Sequence, residues 1–195
     1  MTNRTLLRTS VAALAVAAVA APTAMGAGVQ QANQARCSSA SKGFVVGDSV
    51  VDAINYLNPG PLKAAVGGGD VSGHVNRQFN DGVGVVKQEL AQNPKPCAVV
   101  ISLGTNGPVT PSQWTGLMGL LSKVPRVVVV NTYTKNYRSE QPWMNQINGD
   151  IAKLPAKYRN VRVANWAALA PSLSSTELPD GVHPDTPGAA NKFTG

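Results

Sequence analysis

The fold of this chain is decided by one short stretch, GFVVGDSV, which runs from Gly43 to Val50. Its apolar run FVV predicts a buried strand, the following Gly-Asp pair breaks that strand, and a helix is expected to begin near Val50. The sharp turn between them brings the Ser49 hydroxyl close to helix N-terminal N–H groups, which favour negative charge. A nucleophile and an oxyanion both need that setting, but Ser is also a common helix N-cap. On this stretch alone, both hypotheses for Ser49 stay open.

The first 26 residues have the pattern of a secretory signal peptide. Arg4 and Arg8 precede an Ala/Val/Leu run over residues 11–22, and small residues follow over 24–28. The apolar run is too short to span a bilayer comfortably, so no stable membrane insertion is expected after cleavage. A flexible leader is predicted over residues 27–42, and the mature protein is expected to be secreted, extracellular or cell-wall associated.

The remaining chain has the composition of one globular domain, predicted over residues 43–195. The 195 residues are 43% hydrophobic and 14% charged, which is enough apolar material for a real core. Removal of Arg4 and Arg8 with the signal peptide lowers the formal net charge from +7 to +5. This mild positive charge is spread along the chain, and no basic run with interleaved aromatic residues indicates nucleic-acid binding.

The two cysteines, Cys37 and Cys97, predict one disulfide, since disulfides are common in exported proteins. Cys37 precedes the first strand and Cys97 precedes a later one, so both would lie at the same end of a parallel sheet. Two free thiols or a metal pair are less favoured hypotheses, because two cysteines alone make a poor zinc site. No metal or other cofactor is predicted.

Apolar runs that alternate with helical patterns predict the architecture. Continuous apolar runs occur at residues 98–103, 126–130 and 161–164, and a weaker strand is expected near Val71. Thr110-Pro111 and Thr186-Pro187 are typical helix starts. Together with the first strand, these runs predict an α/β fold, a three-layer α/β/α sandwich with a five-stranded parallel sheet. The last helix is expected to be cut short, leaving one sheet face partly uncovered unless another chain packs there.

Polar residues follow the strands at the edge where such sheets hold their sites. Ser49 follows the first strand, Asn106 the third, and Asp180 and His183 come after the fifth. His183 can take a proton from a serine, Asp180 can hold its imidazole, and the Asn106 amide can donate to an oxyanion. The alternatives are a plain Asp-Gly turn, a surface histidine and a loop asparagine. The other histidine, His74, is expected to be structural or exposed.

Three segments resemble the blocks of the SGNH (GDSL-like) hydrolase family. They are Gly47-Asp48-Ser49, Gly104-Thr105-Asn106 and Asp180-Gly181-Val182-His183-Pro184. The resemblance implies a flavodoxin-like α/β/α fold and metal-independent acyl chemistry. It also implies four functional residues: nucleophile Ser49, base His183, its partner Asp180 and oxyanion donor Asn106.

The finer resemblance is to the extracellular SGNH domains of peptidoglycan O-acetyltransferases. It is carried by GDSV from Gly47, by VSGHVNRQ over residues 71–78 and by LGTNGP over residues 103–108. It implies that a backbone N–H near Val75 or Asn76 completes the oxyanion hole with that of Ser49, although Asn76 stands where the family has glycine. The membrane-spanning acyltransferase domain that often precedes such domains does not occur in this sequence, so the acyl donor would come from a separate membrane protein.

The sequence therefore predicts a secreted serine esterase or acyltransferase that acts on O-acyl groups, above all O-acetyl groups, of cell-envelope glycans. Its substrate would be an acylated carbohydrate or a small ester, and the choice between hydrolase and transferase stays open. Three aromatic residues are predicted to line the acceptor side, or else to be ordinary loop packing: Tyr133, Tyr137 and Trp143. The alternative function is a non-catalytic glycan-binding or accessory module with the same fold.

Overall fold

Five parallel strands form one sheet in the computed structural model, which describes residues 42–136 and 142–195. The predicted signal peptide, most of the leader, Cys37 and Tyr137 lie outside the described residues. The strands pair in the order β2-β1-β3-β4-β5. Their bounds are β1 Phe44–Gly47, β2 Asp70–Ser72, β3 Ala98–Ser102, β4 Arg126–Val130 and β5 Val161–Ala164. The predicted five-stranded parallel sheet is thereby confirmed.

Helices connect consecutive strands and flank the sheet in the described part of the chain. They are α1 Ser49–Leu57, α2 Pro59–Ala65, α3 Phe79–Leu90, α4 Pro111–Leu120, α5 Met144–Lys157, α6 Trp166–Leu169 and α7 Pro187–Thr194. Short 3-10 turns follow α4 and α6, at Leu121–Lys123 and Ala170–Ser172. None of the helices in residues 42–136 and 142–195 is both long and apolar enough to cross a membrane.

Side chains that alternate along the strands divide the core between the two faces of the sheet. In β1, Phe44 and Val46 pack with α3, α4 and α5, whereas Val45 packs with α1, α2 and α7. In β3, Ile101 lies on the first face and Val100 on the second. Because apolar side chains are buried on both faces, the strands are continuous apolar runs and the molecule has three layers.

The break after α1 begins a second helix, which the sequence analysis did not predict. Asn58 ends α1, as the run Asn58-Pro59-Gly60-Pro61 predicts, and Pro59 then occupies the first position of α2. Proline suits that position because its missing N–H would have no partner inside the helix. The same proline therefore ends one helix and begins the next.

Both predicted helix starts are confirmed. Thr110 and Gln113 form a reciprocal capping box at the start of α4. Thr186 caps α7, since its hydroxyl accepts from the Ala189 N–H at 3.1 Å. Ala189 is buried and α7 packs against α1 and α2. The turn that carries Asp180 and His183 is consequently held between the core and the start of α7.

Candidate active site

Ser49 is the first residue of α1, directly beyond the end of β1. Asp48, not Ser49, is the helix N-cap, so the hypothesis that Ser49 caps the helix is wrong. The turn is so tight that it requires glycine at position 47, because a Cβ there would lie 2.1 Å from the Val51 side chain and 3.1 Å from the Ser102 carbonyl oxygen. An N–H at the first helical position has no acceptor inside the helix, which leaves the Ser49 N–H available to a bound oxyanion.

The structure brings Ser49, His183 and Asp180 together from opposite ends of the described chain. His183 Nε2 lies 2.8 Å from Ser49 Oγ, and His183 Nδ1 lies 2.6 Å from Asp180 Oδ2. Since a carboxylate only accepts, Nδ1 carries the hydrogen and, in the neutral imidazole, Nε2 accepts from the Ser49 hydroxyl. The three side chains thus form one hydrogen-bonded line in the order needed to remove a proton from Ser49.

The backbone of the turn holds the Asp180 carboxylate in place. Asp180 Oδ1 accepts from the N–H groups of Val182 at 2.9 Å and of His183 at 2.8 Å. Partial burial raises the pKa of Asp180, but hydrogen bonds from the His183 ring and from these two N–H groups outweigh it and leave the pKa below its ordinary value of 3.8. Asp180 is therefore ionised near neutral pH and can stabilise an imidazolium.

A pocket of about 480 Å³ opens beside Ser49, beyond the carboxyl ends of β1 and β3. The helices that follow these two neighbouring strands lie on opposite faces of the sheet, which leaves a crevice between them. It is lined by Ser49, Asp52, Ala53, Tyr56, Val75, Asn76, Asn106 and His183. The Asn106 amide donates to the Arg77 carbonyl at 3.2 Å. Because a side-chain amide carries two N–H donors, a second hydrogen remains for a substrate oxygen.

The loop after β2 forms another wall of this pocket. Asn76 has φ +59°, the left-handed conformation in which glycine is usual and in which Asn is among the tolerated residues. Asparagine thus keeps the backbone shape at the position where the resemblance expects glycine. His74 is exposed, and its Nδ1 donates to the Val75 carbonyl at 2.7 Å.

The comparisons agree on one fold. No family model matches the chain. Peptidoglycan O-acetyltransferase OatA of Listeria monocytogenes is 32% identical over 144 residues, which cover 74% of this chain and 21% of that protein. The C-terminal catalytic domain of the Streptococcus pneumoniae peptidoglycan O-acetyltransferase A, solved with a methylsulfonyl adduct, superposes with a TM-score of 0.67 at 20% identity, covering 80% of this chain and 89% of that one. This chain has the SGNH (GDSL-like) hydrolase fold.

A GDSL-like lipase from Bacteroides thetaiotaomicron has the same SGNH fold, with a TM-score of 0.61 at 17% identity over 84% of this chain and 89% of its own. The predicted resemblances to SGNH hydrolases and, more narrowly, to peptidoglycan O-acetyltransferases are confirmed. The chain spans about a fifth of the length of the curated relatives it matches.

Within this SGNH fold, a buried carboxylate joins two loops of the site. Asp48 is fully buried; its Oδ1 accepts from the Val50 N–H and its Oδ2 from the Thr105 N–H, both at 3.2 Å. Burial raises the pKa of Asp48, and the hydrogen bonds to Val50 and Thr105 act in the opposite direction. Asp48 therefore fixes the loop of Asn106 relative to the turn of Ser49. The sequence analysis assigned Asp48 no role, because the Thr105 contact joins segments 57 residues apart.

Arg77 joins the ends of three strands of the SGNH sheet. Its Nη1 donates to the Gly47 carbonyl at 2.7 Å, at the end of β1, and to the Ser72 carbonyl, at the end of β2. Its Nη2 donates to Ser72 Oγ at 3.0 Å. Its own carbonyl holds Asn106 after β3. The sequence analysis used Arg77 only as part of the resemblance, although an arginine among small residues after a strand could have indicated such a link.

Of the three predicted acceptor-side aromatic residues, Tyr133 and Trp143 are described by the structure, and neither lines the pocket beside Ser49. Trp143 Nε1 donates to the Gly104 carbonyl at 3.1 Å, and its half-buried ring packs against the core on one face of the sheet. Tyr133 packs against the small buried cluster that contains Val130 and Trp166, and lines a separate cavity of about 210 Å³ with Thr132 and Thr134. Among the described residues that line the Ser49 pocket, neither aromatic residue occurs. Their role in substrate binding stays a prediction.

The described residues do not test the predicted Cys37–Cys97 disulfide, and they contain no evident metal site. In residues 42–136 and 142–195, no group of three or more His, Cys, Asp and Glu side chains could hold a metal ion. Cys97 is buried just before β3, but Cys37 lies outside the described residues. The Cys37–Cys97 disulfide therefore stays a prediction.

Proposed function

We propose that this chain is an exported serine esterase or O-acetyltransferase that acts on O-acetyl groups of cell-envelope glycans. The observation that carries the proposal is the hydrogen-bonded line from Ser49 through His183 to Asp180, at the wall of a pocket that also presents Asn106. The relatives that are named peptidoglycan O-acetyltransferases support an acetylated glycan as the substrate.

The first step is attack of Ser49 on the acetyl ester. Ser49 Oγ forms a bond to the carbonyl carbon, and its proton passes to His183 Nε2 over the 2.8 Å contact. The imidazolium that results is stabilised by the anionic Asp180, which already accepts from Nδ1. Proton transfer by a positioned base of this kind contributes about 100- to 10,000-fold to a rate.

The negative charge that develops on the carbonyl oxygen needs donors fixed in advance. The Ser49 N–H at the start of α1, the Asn106 amide and a backbone N–H of Val75 or Asn76 are proposed to supply them. All four residues line the same pocket, and the α1 N-terminus adds a favourable dipole. The intermediate then expels the alkoxide of the ester, a sugar alkoxide when the acetyl group comes from a glycan, and this alkoxide takes the proton from His183 and leaves as an alcohol.

The acetyl group now on Ser49 is released in one of two ways. If His183 removes a proton from water, the water oxygen attacks the acetyl carbon. The bond from that carbon to Ser49 Oγ then breaks, His183 returns the proton to Ser49 and acetate leaves, so the enzyme is an esterase. If a sugar hydroxyl takes the place of water, the acetyl group is transferred to the glycan. In the second case, a separate membrane protein is proposed to supply the acetyl donor. Residues 1–26 are proposed to direct export of the chain.

An active-serine label tests the nucleophile. A fluorophosphonate reagent is expected to label the wild-type protein and not Ser49→Ala, while Ser112→Ala, which changes an exposed serine of α4, labels like the wild type. Equal labelling of Ser49→Ala and wild type would refute the assignment. Absence of label on the wild type would favour the non-catalytic glycan-binding module.

A product assay separates the two activities. The protein is incubated with 4-nitrophenyl acetate and a chito-oligosaccharide, and acetylated sugar and free acetate are both measured by mass spectrometry. Acetylated sugar that depends on Ser49 identifies a transferase, and acetate alone identifies an esterase. An enzyme that acts on the small ester but neither transfers acetyl to the chito-oligosaccharide nor removes it from an acetylated one would refute the glycan substrate.

A further inference from the structure

We propose that Tyr56 is a platform on which a sugar ring of the substrate stacks, two helical turns from Ser49. This assignment rests on the function proposed above and deepens it, because it requires an oligosaccharide rather than a small ester. Tyr56 was given no role by the sequence analysis, and it lies outside the hydrogen-bonded line of Ser49, His183 and Asp180.

One face of α1 lines the pocket beside Ser49. Ser49, Asp52, Ala53 and Tyr56 follow one another at positions i, i+3, i+4 and i+7, and all four line the cavity beside the candidate nucleophile. The other face of the helix carries Val50, Val51 and Ile54, which are buried against the sheet. Since an α-helix rises 1.5 Å per residue, Tyr56 lies about 10 Å along the axis from Ser49. That separation is close to the length of a disaccharide.

The exposure of Tyr56 is not explained by packing. Its side chain is 88% exposed, and Val75 on the same pocket is 62% exposed. The two other large exposed hydrophobic side chains of the described chain, Leu120 and Leu169, are each only 38% exposed. An aromatic ring that contributes so little to the core but lines the same pocket as the candidate nucleophile is suited to contact a ligand.

A pyranose ring fits these surroundings chemically. Its axial C–H groups form an apolar face, and an aromatic ring presents a negative π-face that attracts such polarised hydrogens. The sugar's rim carries hydroxyl and amide donors, and Asp52, between Ser49 and Tyr56 on the same helix face, supplies a carboxylate acceptor. An ester held at Ser49 by one sugar would therefore place a neighbouring sugar over Tyr56.

The test compares a substrate that reaches Tyr56 with one that does not. Tyr56→Ala is expected to raise the KM for an acetylated chito-oligosaccharide about 3- to 10-fold more than the KM for 4-nitrophenyl acetate, with kcat for the glycan little changed. Tyr56→Phe keeps the ring and is expected to retain the wild-type KM. Leu120→Ala, a change of an exposed apolar residue on α4, is the matched control and is expected to alter neither substrate.

Binding gives a second readout that does not depend on turnover. In the Ser49→Ala background, Tyr56→Ala is expected to weaken chito-oligosaccharide binding by the same factor, measured by titration calorimetry. An unchanged KM and affinity for the glycan would overturn the platform and leave the proposed function standing. Equal losses on the small ester, or a loss confined to long-chain 4-nitrophenyl esters, would also overturn it, the latter in favour of an acyl-chain contact. A wild-type protein that is inactive on the glycan overturns the proposed function, and the platform with it.

Discussion

The Asp48 carboxylate offers the sharpest test of how this site is held together. In Asp48→Ala, the N–H groups of Val50 and Thr105 both lose their acceptor. Loss of the hydrogen bond to the Val50 N–H removes a helix cap, which is worth about 1 kcal/mol. Loss of the other leaves the Thr105 N–H as a buried donor without an acceptor, which costs about 1–3 kcal/mol. These losses add up to about 2–4 kcal/mol, and removal of the desolvation cost of the buried carboxyl offsets part of them, so we expect the free energy of unfolding to fall by about 1–3 kcal/mol. Asp48→Asn keeps one carbonyl oxygen and should lose less.

Urea unfolding followed by tryptophan fluorescence measures these changes, because Trp114 and Trp166 are buried and report loss of the core. Asp81→Asn, an exposed first-turn aspartate of α3, is the matched control and should change the stability by no more than about 0.5 kcal/mol. Activity on 4-nitrophenyl acetate should also fall in Asp48→Ala under conditions where it stays folded, since the loop of Asn106 is then no longer tied to the turn of Ser49.

The pH dependence of the same comparison has a definite sign. Burial raises the pKa of Asp48 in the folded state above its ordinary value of 3.8. Between pH 3.8 and this higher pKa, the folded protein therefore binds more protons than the unfolded one. Stability from this group is therefore present below pH 3.8 and is lost as the pH rises through the folded pKa. The stability difference between wild type and Asp48→Asn should narrow as the pH rises. A difference that widens with pH, or an Asp48→Ala protein as stable as the wild type, would refute the reasoning.

The other predictions concern the reaction and the turn that carries it. His183→Ala should lower kcat on 4-nitrophenyl acetate by about 100- to 10,000-fold with an unchanged circular dichroism spectrum, and near-normal turnover would refute its role as the base. Asn106→Ala should lower kcat by about 100- to 1,000-fold if its amide binds the oxyanion, whereas a change in KM alone would argue against that role. The ion pair with Lys192 at 2.8 Å is the main cause that lowers the pKa of Glu177 to about 2, so its stabilisation is present above pH 4.5 and lost as the pH falls towards 2. Urea unfolding at pH 3 to 7 should therefore show a wild-type advantage over Glu177→Gln that shrinks in acid; a constant advantage would contradict it.

Much of the fold could be predicted because its elements are marked by local patterns. The apolar runs at residues 126–130 and 161–164 coincide with β4 and β5, and Thr110 and Thr186 begin helices as their side chains suggest. The second helix after Asn58 was not predicted, because a proline that ends one helix looks the same in sequence as a proline that begins the next.

The candidate site divides in the same way between local and distant causes. The residue types and their order after the strands predicted that Ser49, Asn106 and His183 lie at one edge of the sheet, because parallel strands share that edge. Side-chain contacts between segments far apart in sequence could not be predicted. Trp143, for example, was predicted either to line the acceptor side or to pack within its loop, and its hydrogen bond to the Gly104 carbonyl is visible only in the tertiary structure.

By itself, the sequence determined a parallel α/β sandwich and which chemical groups stand at its carboxyl edge, since strand, turn and helix signals are local and their alternation along the chain is typical of a parallel sheet. Only the tertiary structure decided that the His183 ring meets the Ser49 hydroxyl at 2.8 Å, that Asp48 is buried as a link to Thr105, and that Tyr56 is left exposed beside the pocket. These features depend on how distant segments pack against each other. A sequence pattern records whether a face of a helix or strand is apolar, but not which partner that face, or its opposite, will meet.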